Sequence, residues 1–227
     1  MTSRTKISQY SVFKFLLLAG LPAVLGVSAA GAACAQNQPR TATPQEVREA
    51  SSRLAAVLQQ QPDLLEDPIA SATVEKKVFW SGATEGHAPL LLLLPTRVRY
   101  KGTTNSYCRL VTASADLKEL KVVSLPPQAN FDDCAGAADT RYVDLNGDGL
   151  LDVVQAVRVQ SNVAPAQVAV PLVYLSGAAP GAGYCYSDAA SRQLRPQDMK
   201  SADSVGKALD AARKRLGIAR FECAPAS

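Results

Sequence analysis

The stretch that decides the fold is "TRYVDLNGDGLLDVVQAVRV", residues 140–159. Its two ends are rich in valine, which favours β-strands, and its middle is rich in aspartate and glycine. Glycine tolerates a positive φ and aspartate accepts hydrogen bonds from nearby backbone, so both favour a tight connection. The stretch therefore predicts a strand, an acidic loop and a second strand that forms a hairpin with the first.

Short segments of the same kind lie on both sides of this hairpin. They are rich in β-branched, aromatic or other apolar residues and are separated by Gly, Pro, Asn and Asp. Pro171 lies inside the last long one, and this predicts a sheet edge or a bulge there because proline cannot donate to a ladder. The predicted strands are residues 73–80, 91–100, 106–113, 120–125, 166–175 and 181–187.

A helix is predicted at each end of the series of strands. Thr43 and Glu46 have the spacing of a capping box, with Pro44 at the first helical position, and apolar residues follow at helical spacing until Pro62. Val205–Leu216 has one apolar face, and Gly217 follows as a C-terminal cap. The order helix, strands, helix predicts an α+β domain: an antiparallel sheet with an N-terminal and a C-terminal helix.

The first 35 residues have the pattern of a signal peptide. Basic residues precede an apolar run, and Ala33-Cys34-Ala35 fits the small-x-small rule for cleavage before Gln36. We expect residues 1–35 to be removed, residues 36–43 to form a short tether, and residues 44–227 to form a single α+β domain. The expected location is periplasmic or secreted, with no transmembrane span after cleavage.

Two alternatives to cleavage remain open for the leader. The apolar run is long enough to be kept as a membrane anchor. The residues before Cys34 also resemble a bacterial lipobox, which implies a lipoprotein anchored through a lipid on Cys34.

The charge of the mature chain excludes one class of partner. The full sequence has 24 basic and 20 acidic residues, and three of the basic ones lie in the leader. Cleavage leaves 21 basic residues against 20 acidic ones, so no strong basic field is expected. We therefore expect no nucleic acid as a partner.

Four cysteines remain after the leader, and an even number in an exported protein predicts two disulfides. Of the three possible pairings we favour Cys108–Cys134 and Cys185–Cys223, because each closes a single loop between predicted neighbours. Four buried thiols are the alternative. Zinc is disfavoured because no CxxC motif occurs and the single histidine lies far from every cysteine in sequence.

The acidic loop has the spacing of a calcium site. Calcium binds six to eight oxygens, and a loop provides them by turning alternate residues toward the ion. Gly149, at the sixth position, allows the sharp turn that such a loop needs. Leu151, at the eighth, is expected to point away and anchor the loop in the core. The predicted ligands are Asp144, Asn146, Asp148, the backbone carbonyl of Leu150, and Asp152 directly or through water.

The loop differs from an EF-hand, because Gln155 replaces the twelfth-position glutamate and strands replace the flanking helices. "DLNGDGLLDVV" instead resembles the calcium loops of FG-GAP and VCBS-type repeats, in which an acidic loop joins two strands. The resemblance implies calcium ligation by Asp144, Asn146, Asp148 and Asp152. A single copy does not imply a propeller. The alternative is a tight hairpin turn with solvated aspartates.

These features favour an exported, non-catalytic, calcium-stabilised binding or inhibitor-type module, with a protein or glycan as the possible partner. Phe79, Trp80 and Tyr100 either pack in the core or form a platform for a sugar or peptide. The alternative function is a secreted or periplasmic hydrolase that uses His87, the only histidine, with a nearby carboxylate such as Glu85. A partner-specific neutraliser of a secreted toxin or enzyme is a third possibility.

Overall fold

The strands form two antiparallel sheets, which are accompanied by short helices near both ends of the described chain. The α+β class with antiparallel strands is confirmed, but the prediction of one sheet is wrong. Residues Gln36–Ser227 form one compact unit. The computed structural model describes residues 40–60, 68–81, 91–104, 106–126, 134–146, 151–160, 167–177 and 183–223.

The first sheet has six strands, all from the first part of the chain. Its order is β1-β3-β4-β5-β6, and β2 pairs with β4 as well. The strands are β1 (Arg40–Thr41), β2 (Ile69–Val74), β3 (Phe79–Trp80), β4 (Leu92–Tyr100), β5 (Ser106–Ala113) and β6 (Leu120–Val122).

The second sheet has four strands in the order β10-β9-β8-β7, so neighbours in the chain are neighbours in the sheet. Its β7–β8 pair is the hairpin predicted from residues 140–159. The strands are β7 (Cys134–Val143), β8 (Asp152–Gln160), β9 (Gln167–Ser176) and β10 (Tyr184–Tyr186).

The predicted strand over residues 73–80 is interrupted, and Pro95 gives the physical reason. The register pairs Val74 of β2 with Thr96, and Phe79 of β3 with Leu93, so the break between β2 and β3 lies opposite Pro95. Proline has no N–H to donate. Its carbonyl still accepts a hydrogen bond of 2.8 Å from the backbone of Glu75.

Pro171 lies where the second sheet is locally an edge. It pairs with Ala156 of β8 on one side of β9. On the other side, β10 reaches only from Ser176 to Tyr174. This confirms the predicted edge at a proline inside an otherwise central strand.

The N-terminal helix is present but divided in two. The capping box is confirmed: Thr43 Oγ1 accepts from the backbone of Glu46, and the Glu46 carboxylate accepts from the backbone of Thr43 at 2.7 Å. The continuous helix expected as far as Pro62 ends early, where Ser52 Oγ donates to the carbonyl of Glu49 and competes with the helical pattern. The two helices are α1 (Pro44–Ser51) and α2 (Leu54–Gln59).

The C-terminal helix starts three residues before the predicted Val205. Ser201 Oγ accepts from the backbone of Ser204, and this cap begins the helix at Ala202. Gly217 closes it with φ +66°, as predicted. No helix among the described residues is long and apolar enough to span a membrane. The helices of this half are α3 (Asp188–Ser191), a 3₁₀ helix (Pro196–Lys200) and α4 (Ala202–Leu216).

The apolar residues form three layers of packing. One layer joins α1 and α2 to the first sheet, and another joins α3, the 3₁₀ helix and α4 to the second sheet. The third lies between the sheets, where Leu93 and Leu110 of the first sheet pack with Val153, Leu172 and Tyr174 of the second. The domain is therefore a helix–sheet–sheet–helix sandwich.

Both predicted disulfides are present. Cys108 of β5 is bonded to Cys134 of β7, and this bond joins the two sheets with a Cα–Cα distance of 5.7 Å. Cys185 of β10 is bonded to Cys223 beyond α4, with a Cα–Cα distance of 5.6 Å. Disulfides are typical of oxidising compartments, and this agrees with an extracytoplasmic location.

Candidate metal centre

The acidic loop lies at the closed end of the β7–β8 hairpin. The register pairs Val143 with Asp152, and Asp144 follows Val143 directly. Directly paired residues in an antiparallel ladder have Cβ atoms about 4.5–5.5 Å apart. The first and ninth positions of the predicted calcium loop are thus brought to one end of the hairpin.

The carboxylate of Asp152 fastens this loop to the sheet. Its side chain is 0 % exposed. Oδ2 accepts a hydrogen bond of 2.7 Å from the backbone of Leu145. Oδ1 accepts from both the backbone N–H and the hydroxyl of Ser176, at 2.7 and 2.9 Å. One buried carboxylate therefore connects the start of the loop, the first residue of β8 and the last residue of β9.

A leucine anchors the loop in the core, but it is not the predicted one. Leu145 is 3 % exposed and packs with Val154 and Val173 under the C-terminal helices. Leu151, the expected anchor, is only half-buried, and its carbonyl accepts a hydrogen bond of 2.9 Å from the hydroxyl of Tyr184. The anchor lies at the second loop position because the Asp152 carboxylate draws the backbone of Leu145 inward.

Three of the five predicted ligands lie in the described part of the chain. Asp144 is exposed, Asn146 is half-buried and Asp152 is buried. Asp148 and Leu150 lie outside the described residues. The described side chains contain no group of three or more His, Cys, Asp and Glu residues arranged to hold a metal.

The donor chemistry of the described positions suits calcium. Asp144, Asn146 and Asp152 all offer oxygen, which calcium prefers, and they come from a connection whose two ends are held together by the ladder. Asp152 holds the ninth position, and both of its carboxylate oxygens accept hydrogen bonds from Leu145 or Ser176.

Ser176 and Tyr184 support the loop and could not be predicted from it. Ser176 lies 24 residues after Asp152 in sequence, and Tyr184 lies 33 residues after Leu151. Nothing in the local sequence around either residue marks it as a partner of the loop. Their contacts depend on how β9 pairs with β8 and how β10 pairs with β9, and this is a property of the folded sheet.

Two tyrosines near the hairpin remain neutral. Burial raises the pKa of Tyr142, on β7, and the phenol of Tyr184 adds to that rise. Burial also raises the pKa of Tyr174, on β9, although the positive charge of Arg109 opposes this. Both phenols therefore keep their protons at physiological pH, and neither acts as a base there.

The remaining sequence candidates lie elsewhere. His87 and Glu85 fall outside the described residues. Trp80 and Tyr100 are only 5 % and 1 % exposed, so they pack in the core rather than form a platform. Phe79 makes an edge contact with Tyr142 of the other sheet, with ring centroids 5.0 Å apart.

Comparison of the chain with protein-family models, with curated proteins and with solved structures finds no match.

Proposed function

We propose that the protein is an exported, non-catalytic binding module whose β7–β8 loop binds one structural calcium ion. The observation that carries the proposal is the buried Asp152 carboxylate, which ties both ends of the acidic loop and the adjacent strand β9 together. We expect a loop whose two ends are fixed in this way to hold its oxygen ligands around one ion. The resemblance to FG-GAP and VCBS-type calcium loops points to the same ion.

Calcium stabilises the hairpin in this proposal. Asp144, Asp148 and Asp152 bring three carboxylates into nine residues, and like charges at this spacing repel one another. A bound cation removes that repulsion. Because an ion that binds only the folded chain shifts the folding equilibrium, free calcium at about 100 times its dissociation constant adds about 2.7 kcal/mol of stability.

Thermal unfolding in calcium and in chelator tests the proposal. The wild-type melting temperature is expected to fall in chelator, whereas Asp148→Ala is expected to melt at the same temperature in both. Asp116→Ala is the matched control, because Asp116 is an exposed aspartate in the turn between β5 and β6 of the other sheet. The control should keep the full calcium response.

Three results would count against the proposal. One is a wild-type chain whose melting temperature is the same in calcium and chelator. Another is a calcium response of Asp148→Ala as large as that of wild type. The third is an equal response to magnesium, because magnesium prefers stricter octahedral geometry and fewer protein ligands than this loop offers.

A further inference from the structure

A polar cleft lies on the first sheet, away from the acidic loop. Its volume is about 240 Å³. The cleft is on the face opposite α1 and α2, because its β4 arginines alternate with Val98 and Tyr100, which pack toward those helices. Every lining residue carries a hydroxyl or a guanidinium group. They are Ser71, Thr73, Arg97, Arg99, Thr104 and Ser106.

The strand register explains why these groups converge. Arg99 of β4 pairs with Ser71 of β2 on one side and with Ser106 of β5 on the other. Arg97, two residues earlier on the same face, pairs with Thr73 and Cys108. Paired side chains lie about 5 Å apart, and residues two apart along a strand are separated by roughly 7 Å. Two guanidinium groups are therefore surrounded by hydroxyls.

The two arginines differ in how far a nearby carboxylate neutralises their positive charge. Nε of Arg97 lies 3.8 Å from a carboxylate oxygen of Glu75, which is a loose ion pair. Among the described residues, Arg99 has no carboxylate partner within ion-pair distance, and its side chain is exposed. The cleft therefore has one partly neutralised and one unneutralised cation, so its net charge is positive.

We propose that this cleft binds a tetrahedral oxyanion, a phosphate or sulfate group. Guanidinium groups donate in pairs to such oxygens, and charge-assisted hydrogen bonds of this kind are the strong ones. A tetrahedral anion has enough oxygens to accept from both arginines and from the surrounding hydroxyls, whereas a carboxylate has only two. The inference extends the proposed binding module by giving its ligand a chemical class. The cleft itself does not depend on calcium.

Calorimetric titration of the full chain with inorganic sulfate at constant ionic strength tests the proposal. Wild type is expected to bind saturably. Arg99→Gln is expected to bind about ten- to a hundredfold more weakly, which is the loss typical of one charge-assisted contact. Arg158→Gln is the matched control, because Arg158 is an exposed strand arginine on the other sheet and its replacement removes the same charge. It should bind as wild type does.

Glu75→Gln provides a variant with the opposite expected effect. Removing the carboxylate frees Arg97 and should tighten sulfate binding about two- to fivefold, the range that corresponds to a partly exposed ion pair. A gain of affinity is not expected if Glu75 has only a structural role. Unchanged melting temperatures of Arg99→Gln and Glu75→Gln would show that both variants fold.

Further titrations distinguish a free anion from an esterified one, and they test the cleft proposal independently of the calcium proposal. Titrations with inorganic phosphate and with glycerol phosphate, both in chelator, distinguish a free anion from a phosphate ester. Tighter binding of inorganic phosphate indicates a free anion, tighter binding of glycerol phosphate indicates an ester, and either result supports the cleft proposal. Sulfate titrations in calcium and in chelator should give the same affinity, so sulfate binding by a chain without a calcium response would overturn only the calcium proposal. No saturable binding of these anions to wild type, equal binding by Arg99→Gln, or equally tight binding of acetate would overturn the cleft proposal.

Discussion

Replacement of Asp152 by asparagine is expected to destabilise the fold strongly, even without calcium. The variant keeps the shape of the side chain but has one acceptor oxygen instead of two. If that oxygen stays on Ser176, the new NH₂ group faces the N–H of Leu145, whose present distance to Oδ2 is 2.7 Å. A donor then faces a donor in a site that is 0 % exposed.

The size of this effect follows from the three hydrogen bonds. A hydrogen bond to a charged group contributes about 1.5–3 kcal/mol, and a buried donor left without a partner costs about 1–3 kcal/mol. Losing the Leu145 bond and weakening the two Ser176 bonds from charged to neutral should therefore lower the free energy of unfolding by about 3–5 kcal/mol. Removing only the Ser176 hydroxyl, by Ser176→Ala, should lower it by about 1–2 kcal/mol.

Urea unfolding in chelator, followed by circular dichroism, measures these differences. Asp203→Asn is the control, because Asp203 is exposed and, within the described part of the chain, forms its ion pair with Lys207 on the surface of α4, so its loss should change stability by about 0.5 kcal/mol or less. The double variant of Asp152 and Ser176 should be less destabilised than the sum of the two single variants, since they share a bond. An Asp152→Asn chain as stable as the control would refute the reasoning.

Two further predictions concern the helix cap and the disulfides. A hydrogen bond from Arg40, followed by one from the backbone of Thr43, lowers the pKa of Glu46 from 4.5 to about 2. The ionised Glu46 carboxylate therefore makes its full contribution to the free energy of unfolding above pH 4.5, and this contribution is lost as the pH falls toward 2. Glu46→Gln should accordingly be about 0.5–1 kcal/mol less stable at pH 7 and equal to wild type near pH 2, as measured by urea unfolding across pH; a difference that persists at pH 2 would contradict this assignment. Replacing both cysteines of the Cys108–Cys134 bond, which closes a loop of 26 residues, should lower stability by about 3.5 kcal/mol in the same assay, and a loss below about 1 kcal/mol would argue against the bond.

The local features of the fold could be predicted because their causes lie within a few residues. The capping box at Thr43 and the helix end at Gly217 each depend on a short motif. The β7–β8 hairpin is marked by valine-rich segments around an acidic, glycine-rich loop. Two disulfides could be predicted from the even number of cysteines, and both favoured pairs are bonded.

The separation into two sheets could not be predicted in this way. The first three residues of β4 are apolar on both faces, with Leu92 and Leu94 toward the helices and Leu93 toward the other sheet. Such a run shows that both sides of a strand are covered, but not what covers them. The same limit applies to the acidic loop, where sequence spacing indicated ligand positions but not which leucine would be buried or that Ser176 would hold Asp152.

The order of the layers coincides with the order of the chain, and this has a consequence for biosynthesis. The described residues between 40 and 126 build the first helical layer and the first sheet, whereas those between 134 and 223 build the second sheet and its helices. During vectorial synthesis the first half emerges with Leu93, Leu110, Val123 and Leu125 lacking the partners that cover them in the finished domain. Until β7–β9 have been synthesised, this nascent half exposes an apolar surface. We expect a chaperone that binds unfolded chains to act mainly at this stage.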